Sequence, residues 1–125
     1  MTKRILIIED QEDNRTIMRD LLTAAGFELI EAANGEEGVK LAQSERPDLI
    51  LMDIQLPIID GYEATRQIRA IVDLKSIPII AVTSYALSGD EAKTREAGCN
   101  GYVSKPFSPR QLLAKVRELL PSENS

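Results

Sequence analysis

The chain contains no histidine and a single cysteine, Cys99. Without histidine there is no Ser-His-Asp or Cys-His nucleophile pair, and no imidazole to ligate a metal. Nor can the chain carry a phosphate on its own imidazole. One cysteine makes no intrachain disulfide and no thiolate zinc site, which is compatible with a reducing compartment. Long apolar runs are also missing. The longest, such as residues 5–8 and 77–82, fall far short of the roughly 20 residues a membrane span needs. Lys3 and Arg4 open a segment whose apolar stretch stops at Glu9, too short for a secretory signal. These absences predict a cytoplasmic protein that does not enter the membrane. Positive charge is in the minority, 15 Lys and Arg against 20 Asp and Glu, giving a net charge of −5 and a pI of about 4.8. Such a chain repels phosphate, so no nucleic acid is expected as a partner.

What is present is the material of one ordinary domain. The chain has 125 residues, of which 43% are hydrophobic. That length suits a single core and leaves nothing for a second. The expected division is a domain over residues 1–120 and a short polar tail over 121–125.

Short apolar runs alternate with amphipathic stretches. Residues 4–9, 27–32, 48–53, 77–82 and 101–104 read as strands. The first, third and fourth are nearly continuous in Ile, Leu and Val, as parallel strands covered on both faces should be. Between them lie helical patterns. Ile17, Met18, Leu21, Leu22 and Ala25 fall on one face, and Leu112, Leu113, Val116, Leu119 and Leu120 on another. Asn34 with Glu37, Asp60 with Glu63, Ser88 with Glu91, and Ser108 with Gln111 each set a capping side chain three residues before Glu or Gln. Pro109 stands at a first helical position, where its missing N–H costs nothing. Gly26 and Gly98 follow helical stretches, as C-terminal caps do. Strand and helix in alternation, five times over, predict an α/β fold: a doubly wound parallel sheet with helices on both faces.

In such a sheet, sites form at the carboxyl ends of the strands. Those ends carry Glu9-Asp10, Asp53, Thr83-Ser84 and Lys105-Pro106. Three carboxylates on one rim repel one another, and a hard divalent cation resolves the conflict. Mg²⁺ suits the set, because it takes oxygen ligands and only one or two carboxylates directly. Each residue alone has a plainer reading. Glu12 and Asp13 fit the dipole of the first helix, and Glu9 and Asp10 taken singly fit either account. Asp53 alone could be a turn acid, Thr83 a strand-end hydroxyl and Lys105 a solvated charge. Their joint placement on four strand ends argues for a site, because the plain explanations are independent.

These residues, with Leu-Ile-Leu-Met-Asp-Ile-Gln-Leu-Pro over 49–57, Asp60-Gly61, Gly98 and Lys105-Pro106-Phe107, resemble the receiver domain of bacterial response regulators. The likeness covers essentially the whole chain and is to stand-alone receivers of the CheY or DivK kind. It implies a flavodoxin-like (βα)5 sheet in the order 2-1-3-4-5. It implies that Asp53 is the phosphoacceptor, and that Asp10, Asp53 and the Gln55 backbone carbonyl ligate Mg²⁺, with Glu9 reaching the ion through water. Lys105 corresponds to the phosphoryl-contacting lysine, Thr83 to the switch hydroxyl, Tyr102 to the switch aromatic, and Pro106 to a proline after a cis bond. Gln55 and Tyr85, each two residues past a site residue, are expected to tune dephosphorylation. The implied partners are a sensor histidine kinase or histidine phosphotransfer protein as donor, and a separate downstream target. That target would read the face made by the fourth helix, fifth strand and fifth helix. The alternative is a receiver-like module that binds partners without phosphorylation. A haloacid-dehalogenase-like phosphatase would need Asp-x-Asp after the first strand, where this chain has Glu-Asp-Gln. A flavodoxin-like cofactor binder would need N–H groups and hydroxyls in the loop that is acidic here.

Overall fold

The short apolar runs form parallel strands, as their composition predicts. A computed structural model describes residues 2–84 and 90–120. Its elements are β1 (Arg4–Ile8), α1 (Glu12–Ala24), β2 (Glu28–Ala32), α2 (Gly35–Glu45), β3 (Leu49–Asp53), α3 (Gly61–Arg69), β4 (Ile79–Thr83), α4 (Asp90–Ala97), β5 (Gly101–Ser104) and α5 (Pro109–Leu119). A 3-10 turn at Val72–Leu74 links α3 to β4. All four strand pairings are parallel, in the order β2-β1-β3-β4-β5.

Side chains alternate across the sheet because successive residues of a strand point to opposite faces. Leu6, Ile8, Ile50 and Met52 meet Ala42 of α2, with Ala64 and Ile68 of α3. Ile5, Ile7, Leu49 and Leu51 meet Met18 and Leu22 of α1, with Leu112 and Val116 of α5. Each of these side chains is at most 2% exposed, and full burial of one is worth about 1.5–3 kcal/mol. The two half-cores fix the sheet between two helical layers, and so fix where its strand ends project.

The capping signals are realised locally. Asn34 accepts from the Glu37 N–H, and Asp60 from the Glu63 N–H. Ser108 and Gln111 complete a reciprocal capping box. Gly26 and Gly98 take φ values of 97° and 119°, the left-handed region where glycine pays no Cβ penalty. The expected cap at Ser88 lies outside the described residues, as does the tail 121–125.

Two sequence expectations are corrected. Strand β4 starts at Ile79 rather than residue 77 and runs on through Thr83. The Ile77 N–H is taken by the turn, bonding Leu74 O, and Pro78 has no N–H to give. Ile17 does not join the buried face of α1, being 55% exposed. Met18 and Leu22, four apart, centre the buried stripe, and Ile17 stands about 100° round the helix from Met18.

Candidate functional site

The strand order reverses at β1, whose neighbours are β2 on one side and β3 on the other. A crevice opens there beyond the carboxyl ends. Glu9 and Asp10 follow β1 directly, and Asp53 is the last residue of β3. One carboxylate oxygen from each of the three lies within 4.8 Å of the other two. Although adjacent in sequence, Glu9 and Asp10 both reach the rim, because the chain turns where the strand ends. Glu9 is fully buried and Asp53 is 3% exposed, so their charges have little water to lean on.

The chain partly answers that charge. Lys105, just past β5, places Nζ 3.0 Å from Glu9 Oε1 and 3.4 Å from Asp53 Oδ1. Backbone N–H groups donate to the same acids: Gln11 to Glu9 Oε2 and Gln55 to Asp53 Oδ1, each at 3.0 Å. One ammonium against three carboxylates still leaves two negative charges in excess. Buried charge without compensation costs several kcal/mol. An all-oxygen, doubly negative pocket is the donor set that a hard divalent cation of the magnesium type takes, so the residues fit that ion.

A glycine brings β3 and the next helix together. The Gly61 N–H bonds Ile54 O, and a Cβ at Gly61 would meet Asp53 O at 2.3 Å. Only a residue without a side chain allows α3 to start this close to Asp53. The Lys105–Pro106 peptide is cis, as the resemblance implies.

Thr83 ends β4 and is fully buried. Tyr102, on β5, pairs in register with Ala81 and lines a cleft with Thr94, Arg95, Asn100 and Lys115. The structure thus brings Glu9, Asp10, Asp53, Gln55, Thr83 and Lys105 to one rim and leaves Tyr102 on the flanking β5 face. Tyr85 lies outside the described residues. Sequence reasoning missed that the Gln55 side chain joins this rim to Thr83 and Ser84. It also missed that exposed Ile17 borders a cleft of about 370 Å³ with Pro106 and Phe107, beside Lys105. Its misassignment to the core hid it.

Residues 5–117 match the response regulator receiver domain family. The chain belongs to that family. It is 45% identical over 120 residues to the polar-differentiation response regulator DivK of Brucella anthropi, covering 96% of this chain and 98% of that one. The receiver domain of the sensor histidine kinase PA1611 from Pseudomonas aeruginosa is 38% identical, with a TM-score of 0.90 over 98% of this chain and 100% of that one. That receiver holds a magnesium ion in its active-site cleft. Chemotaxis protein CheY4 of Vibrio cholerae is 28% identical, with a TM-score of 0.91 over 95% of this chain and 99% of that one. The receiver's five-stranded order is the one the resemblance implies. No helix among its described residues is long and apolar enough to cross a membrane.

Away from the rim, Cys99 is buried against Thr65, whose Oγ1 lies 3.8 Å from Sγ. Burial raises the thiol pKa, against smaller lowering effects from the Thr65 hydrogen bond and the Arg69 charge. Burial likewise lowers the Arg69 pKa, partly offset by Cys99. Because folding favours the neutral thiol, the contribution of Cys99 is intact below the unfolded thiol value of about 8.5. It is lost as pH rises from there through the raised folded value. Cys99→Ala should flatten the alkaline fall in stability seen by urea titration across that window. Native Cys99 should also react with a disulfide reagent about ten-fold or more slower than the unfolded chain. Equal rates would show the thiol to be accessible.

Proposed function

We propose that this receiver accepts a phosphoryl group on Asp53 and uses it to change which partner surface is presented. The observation that supports it is the convergence of Glu9, Asp10 and Asp53 within 4.8 Å, with Lys105 reaching both buried acids. A histidine kinase or a histidine phosphotransfer protein is the proposed donor. These 125 residues hold no histidine, so the donor imidazole lies outside them.

Asp10, Asp53 and the Gln55 backbone carbonyl would hold Mg²⁺, with Glu9 reaching it through water. Bound there, the ion supplies positive charge to the phosphoryl oxygens. Asp53 attacks phosphorus in line; its O–P bond forms as the donor's N–P bond breaks, and the neutral imidazole leaves with a proton. Lys105, already 3.4 Å from Asp53, neutralises charge on the transferred group. The acyl phosphate adds nearly two negative charges to the rim. Thr83 then donates to a phosphoryl oxygen, and Tyr102 turns into the space released. The readout face is α4, β5 and α5. Hydrolysis of the acyl phosphate returns the resting state, with Gln55 and Tyr85 tuning its rate. Ser84 is small and leaves the group open to donor and water.

A complete acid set and a paired lysine do not favour a module that works without phosphorylation. Acetyl phosphate with Mg²⁺ should give an acid-stable, base-labile adduct on the chain. Chelating the metal should reduce labelling to background. Undiminished labelling in chelator would overturn the metal assignment, and no adduct at all would overturn the function.

A further inference from the structure

Gln55 is bonded three times across the region that has to move. Its backbone N–H donates to Asp53 Oδ1 at 3.0 Å. Its side-chain Nε2 donates to Thr83 Oγ1 at 2.5 Å, and its Oε1 accepts from the Ser84 N–H at 2.9 Å. The amide orientation is fixed by this pair. Turned over, its NH₂ would face the Ser84 N–H, donor against donor. Thr83 is fully buried, so its hydroxyl cannot exchange the amide for water without cost.

We propose that the Gln55 carboxamide is a latch, holding Thr83 and Ser84 in the resting arrangement and setting how readily Thr83 turns to a phosphoryl group. The inference rests on the reading of Asp53 as phosphoacceptor and Thr83 as its switch. The hydroxyl accepts from the Gln55 amide and would donate to a phosphoryl oxygen, so the two compete for its position: Thr83 held against Gln55 has to swing away to reach the anion. A chain held mostly in the latched state binds the anion more weakly, its apparent affinity scaled by the fraction that is unlatched. Gln55 is therefore a positioning residue acting through Thr83. This role differs from shielding the acyl phosphate from water, which would alter only the return step. Side-chain length matters as well. Asparagine is one methylene shorter and does not span from residue 55 to both Thr83 and Ser84. Methionine keeps the length and has no N–H to donate.

The test uses the full chain with Mg²⁺ and beryllofluoride, a phosphoryl mimic, and follows the Thr83 methyl resonance by NMR. Gln55→Met should bind beryllofluoride about five-fold more tightly, the scale of one net hydrogen bond. Before any anion is added, its Thr83 methyl should already lie part-way toward the anion-saturated position of the wild type. In a Thr83→Ala background the same Gln55→Met change should leave affinity unaltered, because the latch acts through that hydroxyl. An unchanged or weaker affinity, an unmoved methyl, or a gain that persists in Thr83→Ala would each overturn the latch. If wild type fails to bind beryllofluoride, or Asp53→Asn binds it equally well, the phosphoacceptor reading itself falls and takes the latch with it.

Discussion

An Asp53→Asn chain should take no label from acetyl phosphate and should keep its fold. Asparagine has nearly the shape of aspartate, and its Oδ1 still accepts from the Gln55 N–H that bonds Asp53 at 3.0 Å. The packing around residue 53 is therefore retained. What would be lost is the proposed anionic nucleophile, for a carboxamide oxygen is a poor attacker at phosphorus. The charge balance also shifts. Asp53 shares the rim with Glu9 and Asp10, all within 4.8 Å, so removing one carboxylate relieves repulsion in the metal-free chain. Lys105 keeps its 3.0 Å pair with Glu9. Metal-free stability should hold or rise by up to about 1 kcal/mol, while Mg²⁺ affinity falls. Intact-mass measurement after acetyl phosphate treatment checks the first claim, and urea unfolding checks the second. An adduct of undiminished yield, mapped to Asp10 or Glu9, would mean the wrong acid has been assigned.

The same rim shows how far sequence alone reaches. Strand ends are legible because a run as short and continuous as Leu49 to Met52, bounded by polar residues, reads as a strand buried on both faces, and whatever follows it projects from the sheet edge. That one inference places Glu9, Asp10, Asp53, Thr83 and Lys105 together across 96 residues of chain, as the Lys105–Glu9 pair bears out. The parallel sheet was likewise legible, because helix alternates with strand throughout, while its strand order followed only from the family resemblance. Ile17 was not. Hydrophobic periodicity marks a stripe but not its edge, and the width buried depends on what packs opposite. Nor was the bend at Ile58, where a β-branched residue takes φ 70° while 99% exposed. Nothing local in a Pro-Ile-Ile-Asp run signals a left-handed backbone.

Side-chain hydrogen bonds between distant elements leave the faintest trace in sequence. Gln55 and Thr83 are 28 residues apart, and each has an ordinary local reading. Only the register of β3 against β4, with Asp53 opposite Val82, brings them together. The acids and the lysine that meet at the rim were legible by charge at strand ends. The residues that hold elements in place were hidden because glutamine, arginine and asparagine are as common on a solvated face as in a clamp.

Arg69 is such a clamp, and Arg69→Met should cost about 2–4 kcal/mol while leaving phosphorylation intact. Its guanidinium donates to Gly98 O at 2.9 Å, Leu74 O at 3.0 Å, Lys75 O at 3.2 Å and Asn100 Oδ1 at 2.6 Å. The same Asn100 oxygen accepts from the Ile79 N–H at 2.9 Å, at the start of β4. One side chain thus ties the end of α3, the turn before β4 and the turn before β5. Methionine keeps the stem that packs on Gly98, whose added Cβ would meet Arg69 Cγ at 2.7 Å, but it makes none of the four bonds. Carbonyls that lose a charged donor in a half-buried setting are left partly unsatisfied, so the loss exceeds that of a surface ion pair. For a domain of this size the melting temperature should fall by roughly 10 °C. Lysine restores only part of it, because a point charge cannot fork to several acceptors. The clamp sits at the amino ends of β4 and β5, away from the acids at the carboxyl ends. Labelling by acetyl phosphate below the melting transition should therefore match wild type. A melting shift under about 2 °C would show that water replaces the guanidinium at little cost. Lost labelling in a folded Arg69→Met chain would show that the two ends of the sheet are coupled.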